Sequence, residues 1–240
     1  MYTLEKLKLC FLERRKIVKK NRVTNICARD EFLFYLCRNA SLTGEDEYPI
    51  LKLDMVSTKI PQEMVQWDCR YEVKSPNKTA MSFYCTDSGF TPILNNPHNY
   101  VEKLRKYQSI VGLDASPYDN MSITVQKSQI YANLATSYYF GSNGLKIIPN
   151  LRLGDSRTIG MIAAVPKECM ICIGANGFLW KLSNRKVFKE QVEIIVHELR
   201  PSIVLVYGID IGDVFDAPKK AGIPIYFYMS HSNKRNRNLI

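Results

Sequence analysis

The chain has 240 residues, of which 46% are hydrophobic and 23% charged, and a formal net charge of +10. That composition is globular, the chain is long enough to bury a core as one domain with an appendage, and disorder is not the default expectation. No apolar run approaches the ~20 residues of a membrane-spanning helix, and charge interrupts MYTLEKLKLCFLERRKIVKK too often for a secretory signal, so the expected setting is soluble and cytoplasmic, with no membrane partner.

The positive charge sits at the two ends. Residues 1–30 carry nine Lys/Arg against three acids, the last ten residues add +3, and residues 31–230 hold only +1. Leu4, Leu7 and Phe11 fall on one stripe at helical spacing, which reads as an amphipathic helix with its basic face outward. Lys16, Lys19, Lys20 and Arg22 at one end, and Lys234, Arg235 and Arg237 at the other, are candidate nucleic-acid contacts. Basic arms gain sequence-independent affinity for phosphate backbones by releasing condensed counterions. The same charge serves equally well as a solvated surface.

In chain order, residues 1–75 are expected to form an N-terminal basic helical extension, 76–230 an α/β domain and 231–240 a basic tail. Within the extension, EFLFYLCRNA reads as a helix, YPILKLDMV as a strand, and TGEDEYP and KSPNKT as turn-rich connections. From about residue 80, short apolar runs alternate with longer helical patterns: MSFYCTD, SIVGLDAS, LKIIPNLRLGD, CMICIGANG, SIVLVYGID and IPIYFYMS. This alternation predicts an α/β fold of about six βα units with a largely parallel sheet, either open or closed into an incomplete barrel. Asn96-Pro97 predicts a capped helix start. A helix from Met121 to Phe140 stops at Gly141 to Gly144, and one opening at Ser183 stops before Pro201.

Seven cysteines spread along the chain do not form the dense framework of a small secreted domain. Cys169 and Cys172 resemble a CxxC pair but open the apolar run CMICIG, where cysteine behaves as a small buried hydrophobe. His98, His197 and His231 are scattered over a helix start, a helix and a tail, so the sequence supports neither a zinc cluster nor a Ser/His nucleophile. There is no Walker loop, dinucleotide fingerprint or GxSxG motif.

In parallel α/β folds, ligands gather beyond the carboxyl ends of the strands. Asp87 follows MSFYCT, Asp114 follows SIVGL, Arg152 and Asp155 follow KIIPN, and Asn176 follows CMICIGA, while Tyr207 ends SIVLVY. Asp87, Asp114, Arg152 and Asp155 are therefore the candidate catalytic set, with Asp87, Asp114 and Asp155 as ligands of Mg²⁺ or Mn²⁺, which favour oxygen donors. Ser116, Tyr118, Asn176 and Tyr207 are candidate binding residues on the same rim. The competing reading is that these aspartates cap helices, a role that suits Asp119 and Asp155 best.

The order and spacing of FYCTD, NNPHNYVEKLRKY, GLDASPY, KIIPNLRLGD and VYG, from about Phe83 to Tyr207, resembles a family of uncharacterised proteins encoded by phages and other bacterial mobile elements. The family's second motif usually reads Pro-Asp-Phe-Ser. Asp114 and Ser116 match it, whereas Leu113 and Ala115 depart. Arg152 and Asp155 also match, and Leu153 stands where the family commonly has tryptophan. The resemblance implies an α/β body and a mobile-element setting, and supplies no reaction. Three functions stay open. The first is a phage or mobile-element nucleic-acid-associated protein, with metal-dependent phosphodiester chemistry at the carboxylate rim. The second is a non-catalytic phage protein that binds a host or defence protein. The third is a small-molecule or nucleotide-binding α/β protein.

Overall fold

The computed structural model describes residues 33–175 and 182–231. The basic residues Lys16, Lys19, Lys20, Arg22, Lys234, Arg235 and Arg237, the expected first helix and Asn176 lie outside the described residues.

Among the described residues, seven strands follow one another in chain order: β1 (Glu63–Gln66), β2 (Thr79–Phe83), β3 (Ser109–Leu113), β4 (Ile147–Ile148), β5 (Met170–Gly174), β6 (Ile203–Tyr207) and β7 (Ile225–Tyr228). They form a four-stranded sheet, β1-β2-β3-β4, and a three-stranded sheet, β5-β6-β7, with every pairing parallel. A parallel bridge from Asn150 to Cys172 joins the two sheets. Strand β1 pairs with β2, so the sheet begins before residue 75.

Alternating side chains divide the core. Met64, Ala80, Val111, Ile148, Cys172, Leu205 and Tyr207, drawn from β1 to β6, pack into one cluster, with Tyr228 of β7 against it. Their neighbours Met81, Ile110 and Ile147 join a second cluster under the helices, and Ile171, Ile173, Val204 and Val206 a third. This is period-two patterning with both faces of the sheet buried. The first and last strands approach each other: Tyr228 Oη donates to the Pro61 carbonyl at 2.7 Å and Tyr207 Oη to Gln66 Oε1 at 3.1 Å. No β7–β1 ladder occurs among the described residues, so the ring of strands has a seam there.

The connections are less regular than the expected six βα units. α-Helix follows β2 in α1 (Asp87–Asn95) and α2 (Val101–Leu104), β3 in α3 (Ile123–Ser142), β5 in α4 (Leu182–Leu199) and β6 in α5 (Asp216–Lys220). The links after β1 and β4 instead run through 3₁₀ helices, Trp67–Glu72 and Ser156–Ala164. Asn96 precedes a 3₁₀ turn, Pro97–Asn99, without a side-chain cap bond.

The expected strand in YPILKLDMV is replaced by a 3₁₀ turn, Leu53–Met55, and the expected helix in EFLFYLCRNA by one at Phe34–Cys37. The apolar residues there do serve the core: Leu36, Leu51, Met55 and Val56 are buried. Their backbone bonds go to separate partners, Leu51 N–H to Ala164 O and Ser57 N–H to Ile147 O, so no continuous ladder forms. No helix among the described residues is long and apolar enough to cross a membrane.

Candidate functional site

A cavity of about 1040 Å³ opens beside the carboxyl ends of the strands. Gln66 closes β1, Tyr84 and Asp87 follow β2, Asp114 follows β3, Arg152 follows β4, and Gly174 ends β5, and all of them line it.

Strand β3 reaches this cleft through a slip in register. Ala80 and Met81 pair with Ser109 and Ile110, but Phe83 pairs with Leu113 rather than Gly112. The extra residue puts Ile110 and Leu113 in the same helix-side cluster although they are three apart, which brings Asp114 to the inner side. Glycine at 112 is required by the helix above it, since a Cβ there would lie 2.5 Å from Asn133 Oδ1 and 2.9 Å from Ser137 Oγ.

Asp114 is buried at the floor of the cleft. Arg152 Nη1 donates to its Oδ2 at 2.8 Å, and the two side chains are 15% and 12% exposed respectively. Asn150 holds the arrangement from behind. Its Nδ2 donates to Leu113 O at 3.1 Å and to Asp114 Oδ1 at 3.4 Å, its Oδ1 accepts from Tyr84 Oη at 2.8 Å, and its carbonyl accepts from Asn133 Nδ2 at 3.0 Å. One residue, through its side-chain amide and its backbone carbonyl, thus ties α3, β3, β4 and the segment after β2 together at the joint between the sheets. Tyr84 also stacks on Tyr207, ring centroids 4.6 Å apart, and lies 3.2 Å from Cys172 Sγ. Burial holds the Tyr84 phenol well above its ordinary pKa and pushes the Cys172 thiol up to about 12, so both are protonated structural groups at neutral pH.

Asp87, the first residue of α1, is exposed within the same cleft. Desolvation, and then the negative charge of Asp114, raise its pKa, with Arg152 opposing. Among the described lining residues, Asp68, Asp87, Asp114 and Asp119 stand against the single cation Arg152. The described wall is therefore acidic, while the chain as a whole is basic.

Asp87, Asp114 and Arg152 meet here, and Ser116 and Tyr118 line the cleft with them, Ser116 buried and Tyr118 53% exposed. Tyr207 is 1% exposed and supports the cleft from behind through Tyr84. Asp155 follows the lining residue Gly154 but is not itself part of the cleft wall. It caps the Ser156–Ala164 helix, its carboxylate accepting from Arg157 N, Nε and Nη2 and from Gln126 Nε2, and these bonds, Arg157's foremost, hold its pKa well below the usual carboxylate range. Donor atoms of Asp87, Asp114 and Asp155 do not converge to within 4.8 Å of one another. Cys169 and Cys172 are free and buried, 5% and 0% exposed, the latter on β5.

The sequence reading did not single out Asn150, Asp68 or Tyr84. Asn150 follows Pro149 at the end of an apolar run, a position where a buried amide must find partners, and that is the signal available for it. Asp68 lies after β1, a strand the reading had not identified.

Comparison with known proteins gives no solved structure that matches. Among curated proteins, the chain is 19% identical over 172 residues to "Gene 1 protein" of Mycobacterium phage L5, an alignment covering 70% of this chain and 75% of the phage protein. A family model matches residues 43–220, from ahead of β1 through α5, and the chain belongs to that phage-associated family, described as "Domain of unknown function (DUF4417)".

Proposed function

We propose that the strand-end cleft is the working site of a phage nucleic-acid-associated protein, and that Asp87 and Asp114 there hold Mg²⁺ or Mn²⁺ against a phosphate ester. The observation that supports this is the sharing of one cleft by two carboxylates, where desolvation and then the charge of Asp114 raise the pKa of Asp87. A divalent cation relieves that repulsion, and oxygen donors suit a hard ion. The acidic wall would repel a bare phosphate, and the cation supplies the missing attraction. Bound there, the ion would polarise a phosphoryl oxygen or lower the pKa of a coordinated water. Arg152, held at 2.8 Å from Asp114, is within reach of the same ligand and fixes the carboxylate's orientation. The basic arms would supply the sequence-independent grip on the polymer.

The test is melting temperature against Mg²⁺ or Mn²⁺ concentration for wild type, Asp87→Asn and Asp114→Asn, together with nucleic-acid binding and cleavage over a range of salt. A ligand that binds only the folded state stabilises it by mass action, so the wild type should gain stability with metal and both variants should gain less. Nucleic-acid affinity should fall steeply with salt, and removal of residues 1–22 and 231–240 should flatten that slope. A flat metal titration in the wild type removes the metal. Absence of binding at low salt removes the nucleic acid. The cleft volume, typical of small-molecule sites, favours a mononucleotide as the second reading. Metal-dependent stabilisation by a nucleotide without any polymer binding would select it.

A further inference from the structure

At the seam between β1 and β7, beside Gln66, which also lines the cleft, a different set of side chains comes together. Cys69 and Glu72 lie three apart on the 3₁₀ helix Trp67–Glu72, where residues i and i+3 eclipse and so share a side. His231 arrives from just beyond β7. The thiol, the carboxylate and the imidazole each offer one donor atom, and the three lie within 4.8 Å of one another. All three line a cavity of about 100 Å³ that includes Gln66 and Tyr207. Tyr207 Oη anchors both sides of it, accepting from His231 N–H at 3.3 Å and donating to Gln66 Oε1 at 3.1 Å.

We propose that Cys69, Glu72 and His231 form a zinc site that fastens the segment after β7 to the helix after β1. A thiolate, an imidazole and a carboxylate are ordinary zinc ligands, and three of them leave a fourth position for water or an incoming ligand. Sulfur in the set disfavours Mg²⁺ and Ca²⁺. Bonds of ~2.0–2.3 Å place tetrahedral donors roughly 3.3–3.8 Å apart, inside the 4.8 Å within which the three donor atoms already lie. Cys69 is buried, His231 partly so and Glu72 exposed, so Glu72 is the ligand with freedom to swing inward. The position gives the ion a structural task, because among the described residues no hydrogen-bonded ladder joins β7 to β1. This inference is independent of the cleft and of the metal suggested there.

The experiment uses the full chain, stripped with chelator and then titrated with Zn²⁺ or Co²⁺. Zinc content and melting temperature are read, and for cobalt the thiolate-to-metal charge-transfer absorption. The expected result is one zinc per chain, a melting temperature that rises with zinc, and a charge-transfer band lost in Cys69→Ser. Glu72→Gln and His231→Asn should each weaken zinc binding at least roughly tenfold, as loss of even a supporting group commonly does, while Cys169→Ala leaves it unchanged. If buried Cys69→Ser fails to fold, the Glu72 and His231 variants still decide the matter. Less than stoichiometric zinc with a flat melting curve overturns the proposal, and so does zinc retained at wild-type affinity by these two variants.

Discussion

Consider the replacement of Asp114 by Asn, of Arg152 by Gln, and of both together. The wild-type contact is 2.8 Å, between side chains that are 12% and 15% exposed. Breaking a fully buried ion pair from one side costs about 3–5 kcal/mol, and an exposed pair is worth ~0–1. This pair lies low in a water-accessible cleft, and Asp114 keeps a second, longer contact at 3.4 Å from Asn150. The amide introduced by Asp114→Asn would still accept one bond from Arg152, so the loss is that of charge assistance, about 2 kcal/mol. For a chain of this size, that lowers the melting temperature by roughly 4–8 °C. Urea denaturation of the four proteins, followed by circular dichroism, gives the coupling, provided the m-values agree. We expect a coupling of about 1.5 kcal/mol, with the double variant more stable than the sum of single losses implies. A coupling below ~0.3 kcal/mol, within the additivity of independent sites, would refute the view that the pair is desolvated and organises the cleft floor.

Gly112→Ala should destabilise by about 2–3 kcal/mol, because the added methyl meets Asn133 and Ser137 of α3 inside van der Waals distance and strains the Asn133–Asn150 bond; a variant as stable as wild type in urea would show that the register slip does not fix this position. The pH dependence of Asp87 has the opposite sign to that of most carboxylates. Its folded pKa is raised by burial and by Asp114, so its contribution to stability is present at low pH and is lost as pH rises through the folded pKa. Asp87 also begins a helix, where negative charge is worth ~0.3–1 kcal/mol, so absolute stability at neutral pH should change little in Asp87→Asn. The melting temperature of Asp87→Asn relative to wild type should climb as pH rises through and above the ordinary carboxylate range, and a difference that stays flat or falls would count against the shared-cleft electrostatics.

What could be read from the sequence was what local pattern dictates. SIVGL is buried along its whole length as β3, and Asp114 does leave the sheet at its end. The helices at 123–142 and 182–199 begin and end close to their predicted signals. YPILKLDMV misled because an apolar run says only that residues are buried, and here they fill the core from an irregular path without a partner strand. EMVQ escaped notice as β1 because four residues with charge and amide at its ends lack a clear alternation. At the rim, chain position alone could not separate Asp114 from Asp155. One meets Arg152 across the floor of a cleft and the other is occupied by Arg157 two residues on. Cys69 and Glu72 share a local spacing, but His231 joins them only through the approach of β7 to β1, which no local spacing records.

The strictly sequential order of the strands bears on how such a chain is made. Each strand from β2 onward lies beside its immediate predecessor in the sequence, so a polypeptide emerging amino end first always has the required neighbour already present. No slot has to be held open in the middle of a sheet for a strand still to be synthesised, as a swapped order would demand. Among the described strands, the edge left waiting is the outer side of β1, whose counterpart β7 comes last. That edge is four residues long and starts on Glu63, whose carboxylate accepts from Thr79 Oγ1 at 2.7 Å. Brevity and charge are what discourage a foreign strand from adding to an open edge, so the nascent sheet exposes its least adhesive side for longest.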